Sequence, residues 1–349
     1  MPTTTRAFGA PSAKAKLEPM TIEHREPGLN DVAIDIAYAG ICHTDVHQID
    51  EAWGGGIFPM VPGHEITGVV QAVGPGVTKF RVGDRVGVGT YIDSCRECEN
   101  CVGGFEVYCT GPGGVTPTYN SRDRNANPNH GGYSKHIVVD ERYVVRIPNE
   151  LGLDVAAPLL CAGITTYSAL KHWNVGSGTN VAVLGMGGLG HVAVSLAHAL
   201  GAQVTVLSRT LNKRDDGLAL GADHYYATAD PRTFTELAGT FDIILCTISD
   251  SVDFDRYLSL LRLDGTLINV GAPEDPITLS NWSLITGRRS YASSGTGGMP
   301  ETQEMLDFCA QHKIAPMIET IRADQINEGF DRLRRADVRY RFVIDAATL

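Results

Sequence analysis

Four cysteines, Cys95, Cys98, Cys101 and Cys109, stand close together in the chain with charged Arg96, Glu97 and Glu99 between them. A hydrophobic cluster would not carry those charges. Cys-x2-Cys-x2-Cys-x7-Cys supplies four thiolates to one tetrahedral ion, so the run reads as a closed structural zinc site. An iron–sulfur cluster uses similar spacings and is the chemical rival, but nothing else in the chain points to electron transfer. A second group is Cys42-His43-Thr44-Asp45-Val46-His47, followed by Gly63-His64-Glu65. Thiolate and imidazole suit zinc here too. Cys42 and His64 are too far apart in sequence for a finger knuckle, so only the fold could unite them. On their own such residues are more often packed than ligating.

The third constellation is Gly185-x-Gly187-x-x-Gly190. A short apolar run, Val181 to Leu184, precedes it and reads as a buried parallel strand. Val192, Leu196, Ala199 and Leu200 follow at helical spacing, with Gly201 at the C-cap. Strand, glycine turn and helix in that order form a dinucleotide site. The first glycine permits the turn, the second admits the pyrophosphate, the third lets helix and strand approach, and the helix N-terminus faces the anion. A second strand, Val204 to Leu207, ends without the carboxylate that would hold a ribose 2′-hydroxyl. Ser208, Arg209 and Lys213 stand there instead, and small and cationic residues suit a 2′-phosphate, hence NADP(H). The bland reading of Arg209 and Lys213 is a solvated surface.

The elements that must position these groups fall into two kinds. Residues 1–90 show short alternating stretches, Val32 to Ala37 and Gly68 to Val73, punctuated by glycine and proline, and read as a compact β domain. Residues 110–135 form a polar loop, and strand sequence resumes at His136 to Val139. Val155 to Tyr167 reads as an apolar helix carrying Cys161. From residue 180 the chain alternates, with strands expected at 181, 204, His224 to Ala227, Asp242 to Cys246, Gly265 to Val270 and Tyr291 to Ser293. Six is the number a doubly wound sheet wants. Two amphipathic helices (Glu301 to His312; near Asp324 to Arg335) and a strand, Tyr340 to Asp345, follow. Cys246 and Cys309 lack partners at metal spacing and read as inert.

The chain has 349 residues, 43% hydrophobic and 20% charged, with a formal net charge of −11. That length allows two domains. The negative charge argues against a nucleic acid or an anionic membrane as partner. No signal-peptide core and no long apolar run is evident. Thiolate ligands want a reducing compartment, so the cytoplasm is expected.

The motifs Gly40-Ile-Cys-His-Thr-Asp45, Val61-Pro-Gly-His-Glu65, the Cys95–Cys109 cluster, Leu159-Leu-Cys-Ala-Gly-Ile-Thr165, Gly185-Met-Gly-Gly-Leu-Gly190 and the Ser208/Lys213 region together carry a resemblance. Over essentially its whole length the chain resembles the zinc-dependent medium-chain alcohol dehydrogenases, within them the NADP-dependent cinnamyl alcohol dehydrogenase-like group. The resemblance implies an α/β protein: a GroES-like, β-rich catalytic domain (residues 1–148 and 299–349) with a doubly wound Rossmann coenzyme domain (149–298) inserted. It implies two zinc ions per chain. Cys42, His64 and Cys161 would ligate the catalytic one, with Glu65 able to take the fourth place, and Asp45 would orient His64. Thr44 would meet the substrate oxygen and the cofactor, and His47 would end a proton relay. His43 stands where relatives carry a basic residue near the pyrophosphate. Gly188, Leu189, Thr165, Thr247 and Gly271 join Gly185, Gly187, Gly190, Ser208, Arg209 and Lys213 in the implied cofactor site. Small alcohols and aldehydes are the implied substrates, and a homodimer the implied assembly.

Plant members of the group carry a large aromatic around Val115 to Tyr119. This chain departs from them there, which argues against lignin precursors and for a range of aromatic and medium-chain aldehydes. Trp53 lines the pocket or packs. Two rivals remain: an NAD-linked polyol dehydrogenase of the same fold, against which Ser208 speaks, and a non-catalytic NADP-binding relative, against which the complete Cys42, His64 and Cys161 set speaks.

Overall fold

The computed structural model describes residues 3–349. These divide into two compact units, one running to Ile164 and resuming over Gly297–Leu349, the other Thr165–Thr296.

The first unit is built on the strand Asp31–Gly40, whose Val32, Ala33, Ile34, Ile36 and Ala39 are buried. Such a near-continuous apolar run is covered on both faces. Along one side it pairs antiparallel with Ile66–Val73. Along the other it meets His136–Asp140 at its start and Arg341–Asp345 at its end. Ile34, Ile41, Ile49, Ile66, Tyr133 and Phe342 fill the core beside it. Burial of each such side chain contributes about 1.5–3 kcal/mol. The strand Arg341–Asp345 thus carries residues from beyond the inserted unit back beside Gly40.

The expected start of the coenzyme domain at residue 149 differs from the contacts: the first unit runs on to Ile164. Leu160 packs against Gly87 and Gly89, which ties this stretch to the first unit. Cys161 also departs from the expected uninterrupted helix. An α-turn, Leu153–Ala156, runs into a 3-10 turn, Ala157–Leu160, with Pro158 in its first turn. Cys161 then breaks the path with φ −127° and ψ −70°, before the helix Ala162–His172 begins. A proline removes a backbone donor and resists a continuous helix there.

The cysteine-rich stretch has little regular structure: the four-residue helix Glu99–Val102, the 3-10 turn Glu106–Tyr108 and a short pairing of Tyr91–Asp93 with Thr116–Pro117. Val102 and Phe105 are exposed. So small a core needs another means of holding its shape.

The second unit holds one parallel sheet in the spatial order His224–Ala227, Gln203–Ser208, Asn180–Leu184, Phe241–Cys246, Leu261–Asn269, Ser290–Ser293. The sequence places all six strands, with ends shifted by a few residues. Order reverses between the third and fourth, the switch point where doubly wound sheets bind ligands. Leu184, Leu207, Ile244 and Leu267 pack with Phe241 and Leu258 into its core. Among the described residues no single helix is long and apolar enough to cross a membrane.

Candidate active site: two metal centres and a dinucleotide cradle

The hub strand ends at Gly40, and Ile41 N–H donates to Phe342 O at 2.9 Å. That bond fixes the chain as it enters Cys42, the N-cap of the helix His43–Ile49. Asp45 sits in the first turn, where its Oδ2 accepts the Cys42 amide at 2.9 Å, a stabilising place for a carboxylate. Its Oδ1 meets His64 Nδ1 at 3.1 Å. An ionised carboxylate only accepts, so Nδ1 carries a proton and Nε2 is the nitrogen left to a metal, which would displace any proton held there.

Cys42, His64, Glu65 and Cys161 offer one donor atom each, all within 4.8 Å of one another. The Cys42 and Cys161 sulfurs are 3.9 Å apart. A tetrahedral zinc with bonds of about 2.3 Å separates two thiolates by roughly 3.8 Å, so the residues fit that ion. The Cys161 hydrogen bond holds the Cys42 thiol well below its ordinary range and pushes Cys161 up. Burial pulls His64 down, but Asp45 and Cys42 outweigh it and raise the imidazole to about 10. Glu65 is fully buried, and its charge is met by Arg341, itself buried on the strand Arg341–Asp345.

The second donor set is Cys95, Cys98, Cys101 and Cys109, again within 4.8 Å of one another. Cys95 and Cys101 sulfurs lie 3.8 Å apart, Cys98 and Cys109 4.0 Å. That spacing suits four thiolates on one ion. The amides of Glu97 and Cys98 donate to the Cys95 sulfur and lower its thiol, and backbone amides likewise bring Cys98 down to about 5. Cys246 and Cys309 are buried outside both sets, and burial raises them to about 11 and 12.

Thr44 is half-buried, and His47 follows one turn later on the same helix face. The His47 ring stacks on Trp53 with centroids 5.0 Å apart, and the ring of exposed His43 lies 5.3 Å from it. Tyr119 is a finding that loop composition could not give. It is 5% exposed, stacks on His64 at 5.9 Å and donates its hydroxyl to Asp45 at 2.8 Å. Tyr133, fully buried, donates to the other Asp45 oxygen at 2.9 Å. Burial pushes both phenols well above their ordinary range, so both remain donors. The sequence also left Arg341 unread, although one arginine within Tyr340-Arg-Phe-Val-Ile344 was a signal.

In the second unit the glycine turn, Ser208, Thr247 and Gly271 stand at or just past the C-terminal ends of the central strands. Gly185 has φ +99°, which glycine adopts without strain. A Cβ on Gly190 would overlap Gly185 O, whereas a Cβ on Gly187 would meet nothing within 4 Å. The open space over Gly187 is a cradle of the kind a pyrophosphate fills. Leu189 is the N-cap of the helix Gly190–Ala199, and Gly188 precedes it. His191 Nδ1 meets Gly187 O at 3.1 Å, and burial lowers the imidazole to about 4, so it stays neutral and pins the loop. Thr247 Oγ1 donates to Leu184 O at 3.1 Å, and Gly271 N–H to Asn269 Oδ1 at 3.1 Å. Ser208 ends the second strand, half-buried; Arg209 is exposed; Lys213 Nζ donates to Met186 O at 3.1 Å, beside the glycine turn. Thr165 is buried in the helix Ala162–His172.

Residues 28–149 match the alcohol dehydrogenase GroES-like domain, and residues 188–311 match the zinc-binding dehydrogenase family. The chain is 62% identical to "Probable formaldehyde dehydrogenase AdhA" of Bacillus subtilis over 99% of this chain and 98% of that protein. It is 59% identical to "NADP-dependent alcohol dehydrogenase C 1" of Mycolicibacterium smegmatis over 99% of both. Among solved structures it is similar to a cinnamyl alcohol dehydrogenase of Sorghum bicolor (SbCAD4), with TM-score 0.96 and 43% identity over 99% and 98% of the two chains. It is also similar to the CAD of Helicobacter pylori complexed with NADP(H), with TM-score 0.93 and 42% identity over 99% of both. The glycine turn and the two donor sets agree with these matches, and the chain belongs to the zinc-dependent medium-chain alcohol dehydrogenases, in their NADP-dependent cinnamyl alcohol dehydrogenase-like group.

Proposed function

We propose that this chain reduces aldehydes to primary alcohols with NADPH, consuming one hydride and one proton per turnover. The observation that carries the reading is the Cys42, His64 and Cys161 donor set backed by Asp45. Cys42, His64 and Cys161 would hold a zinc ion, and that ion would supply the Lewis acidity that polarises a carbonyl. Glu65, the fourth donor of the set, is paired with Arg341 and so need not compete with the aldehyde oxygen. Thr44 orients this oxygen and passes it a proton. His47, steadied on Trp53, replaces that proton from solvent. The cradle over Gly187 holds the pyrophosphate, and Ser208, Arg209 and Lys213 hold the 2′-phosphate that marks NADPH.

The closed Cys95, Cys98, Cys101 and Cys109 set holds a second, structural zinc that keeps its lobe in shape. The six cysteines of the two donor sets would bind metal as thiolates, which suits a reducing cytoplasm. A homodimer is supported by the second unit alone: Ser290–Ser293 is an edge strand, and Trp282 and Ile285 close by in sequence are exposed. The relatives' names span formaldehyde and alcohols, and the substrate range proposed here is aromatic and medium-chain aldehydes.

The test is zinc content together with aldehyde-dependent NADPH oxidation on one sample purified without added metal. Two zincs per chain with turnover are expected. Cys42→Ala should abolish turnover and leave NADPH binding intact; retained turnover would sink the zinc mechanism. Faster oxidation of sorbitol with NAD would favour the polyol reading instead.

A further inference from the structure

Asp45 accepts four hydrogen bonds, and they divide evenly. Oδ1 takes His64 Nδ1–H at 3.1 Å and the Tyr119 hydroxyl at 2.8 Å. Oδ2 takes the Cys42 amide at 2.9 Å and the Tyr133 hydroxyl at 2.9 Å. A carboxylate offers about four lone-pair sites, so the set is complete. Asp45 has no exposed surface, and no solvent is at hand to replace a lost donor.

Each tyrosine is anchored independently of Asp45. Beside Tyr119, the Thr118 hydroxyl donates to Gly89 O at 2.6 Å. On its other side Asn120 accepts the Ile57 amide at 2.7 Å and donates to Gln48 Oε1 at 2.5 Å. Tyr133 N–H donates to Pro62 O at 3.0 Å, its carbonyl accepts from Phe8 N–H at 2.8 Å, and its ring meets Phe330 edge-on. Two hydroxyls fixed from outside therefore grip the carboxylate that orients one metal ligand and caps the turn bearing another.

We infer that Tyr119 and Tyr133 are positioning residues of the catalytic metal site, Tyr119 holding the His64 ring through Oδ1 and Tyr133 holding the Cys42 turn through Oδ2. The inference rests on the catalytic zinc reading above. Partners behind a metal ligand typically change metal affinity by about 10–100-fold when lost. The division by oxygen predicts unequal effects: Tyr119→Phe keeps the ring stacked on His64 and removes only the hydroxyl that shares its oxygen.

The experiment compares full-length wild type, Tyr119→Phe, Tyr133→Phe and the double variant. Two readouts are used: chelator-driven zinc loss, and the absorption spectrum with cobalt(II) in the Cys42/His64/Cys161 site. Zinc loss from the Cys95–Cys109 set serves as the folding control. Tyr119→Phe should speed loss of the catalytic zinc about tenfold or more and shift the cobalt bands. Tyr133→Phe should do less, and the double variant more than both combined. A Tyr119→Phe protein with wild-type zinc loss and cobalt bands, or with slower zinc loss, overturns the inference. A larger effect from Tyr133→Phe overturns the division. Should Tyr133→Phe fail to fold, Tyr119→Phe alone decides. Wild type that holds one zinc and does not turn over sinks the underlying reading as well; wild type with two zincs and turnover, indifferent to Tyr119→Phe, sinks this inference only.

Discussion

Arg341 shows how much one side chain can carry. It and Glu65 are buried together, and removing one partner leaves the other charge with neither solvent nor counter-ion. Arg341→Met should lower stability by about 3–5 kcal/mol, read from denaturant midpoints. It should also release the Glu65 carboxylate toward the ligand cluster, so activity should fall further than stability alone requires. Unchanged midpoints would mean the ion pair contributes nothing net. Ser208 answers a different question. Ser208→Asp should repel the 2′-phosphate and restore a partner for a ribose hydroxyl, moving the kcat/KM ratio toward NADH by about tenfold or more. A ratio that does not move would place the 2′-phosphate elsewhere.

The glycine turn separates two jobs that the motif pattern alone runs together. A methyl on Gly190 overlaps Gly185 O, so Gly190→Ala should push helix from strand and destabilise the second unit. A methyl on Gly187 meets nothing in the protein, so Gly187→Ala should leave thermal stability near wild type and weaken NADPH binding about tenfold or more. Equal stability losses in the two variants would contradict the cradle. This element was legible in the sequence because strand, turn and helix each have their own local signal, and so were the six parallel strands. The Cys95–Cys109 set was legible for the same reason, being local in the chain. What was not legible is what the fold brings together from afar. Tyr119 and Tyr133 lie in a polar loop where a tyrosine carries no pattern, and only the fold sets them against Asp45. Cys161 was read as helical because its neighbours are apolar, yet Pro158 and a 3-10 turn turn it out of the helix.

For the molecule as a whole, acid should act through buried neutral histidines. His191, 1% exposed, is lowered to about 4 by burial. His24 is lowered to about 3 by burial and the nearby His136, His130 and Arg25. Unfolded histidine titrates near 6.5, so below that pH the unfolded chain binds more protons than the folded one. The contribution of these two histidines should therefore be full above about pH 6.5 and fall as pH drops toward 4, with His191 supplying about 3 kcal/mol of the loss. Denaturant midpoints measured from pH 7 to 4 should fall less steeply for His191→Gln than for wild type. Parallel slopes would mean that His191 already carries its proton in the fold.

The strand Arg341–Asp345 adds a timetable. A ribosome makes residues 31–65 early and Arg341 only after the whole of residues 165–296. Until then Glu65 has no arginine to draw it aside, and Ile41 has no Phe342 carbonyl to bond. The cysteine and histidine ligands thus leave the ribosome well before the pocket around them can close.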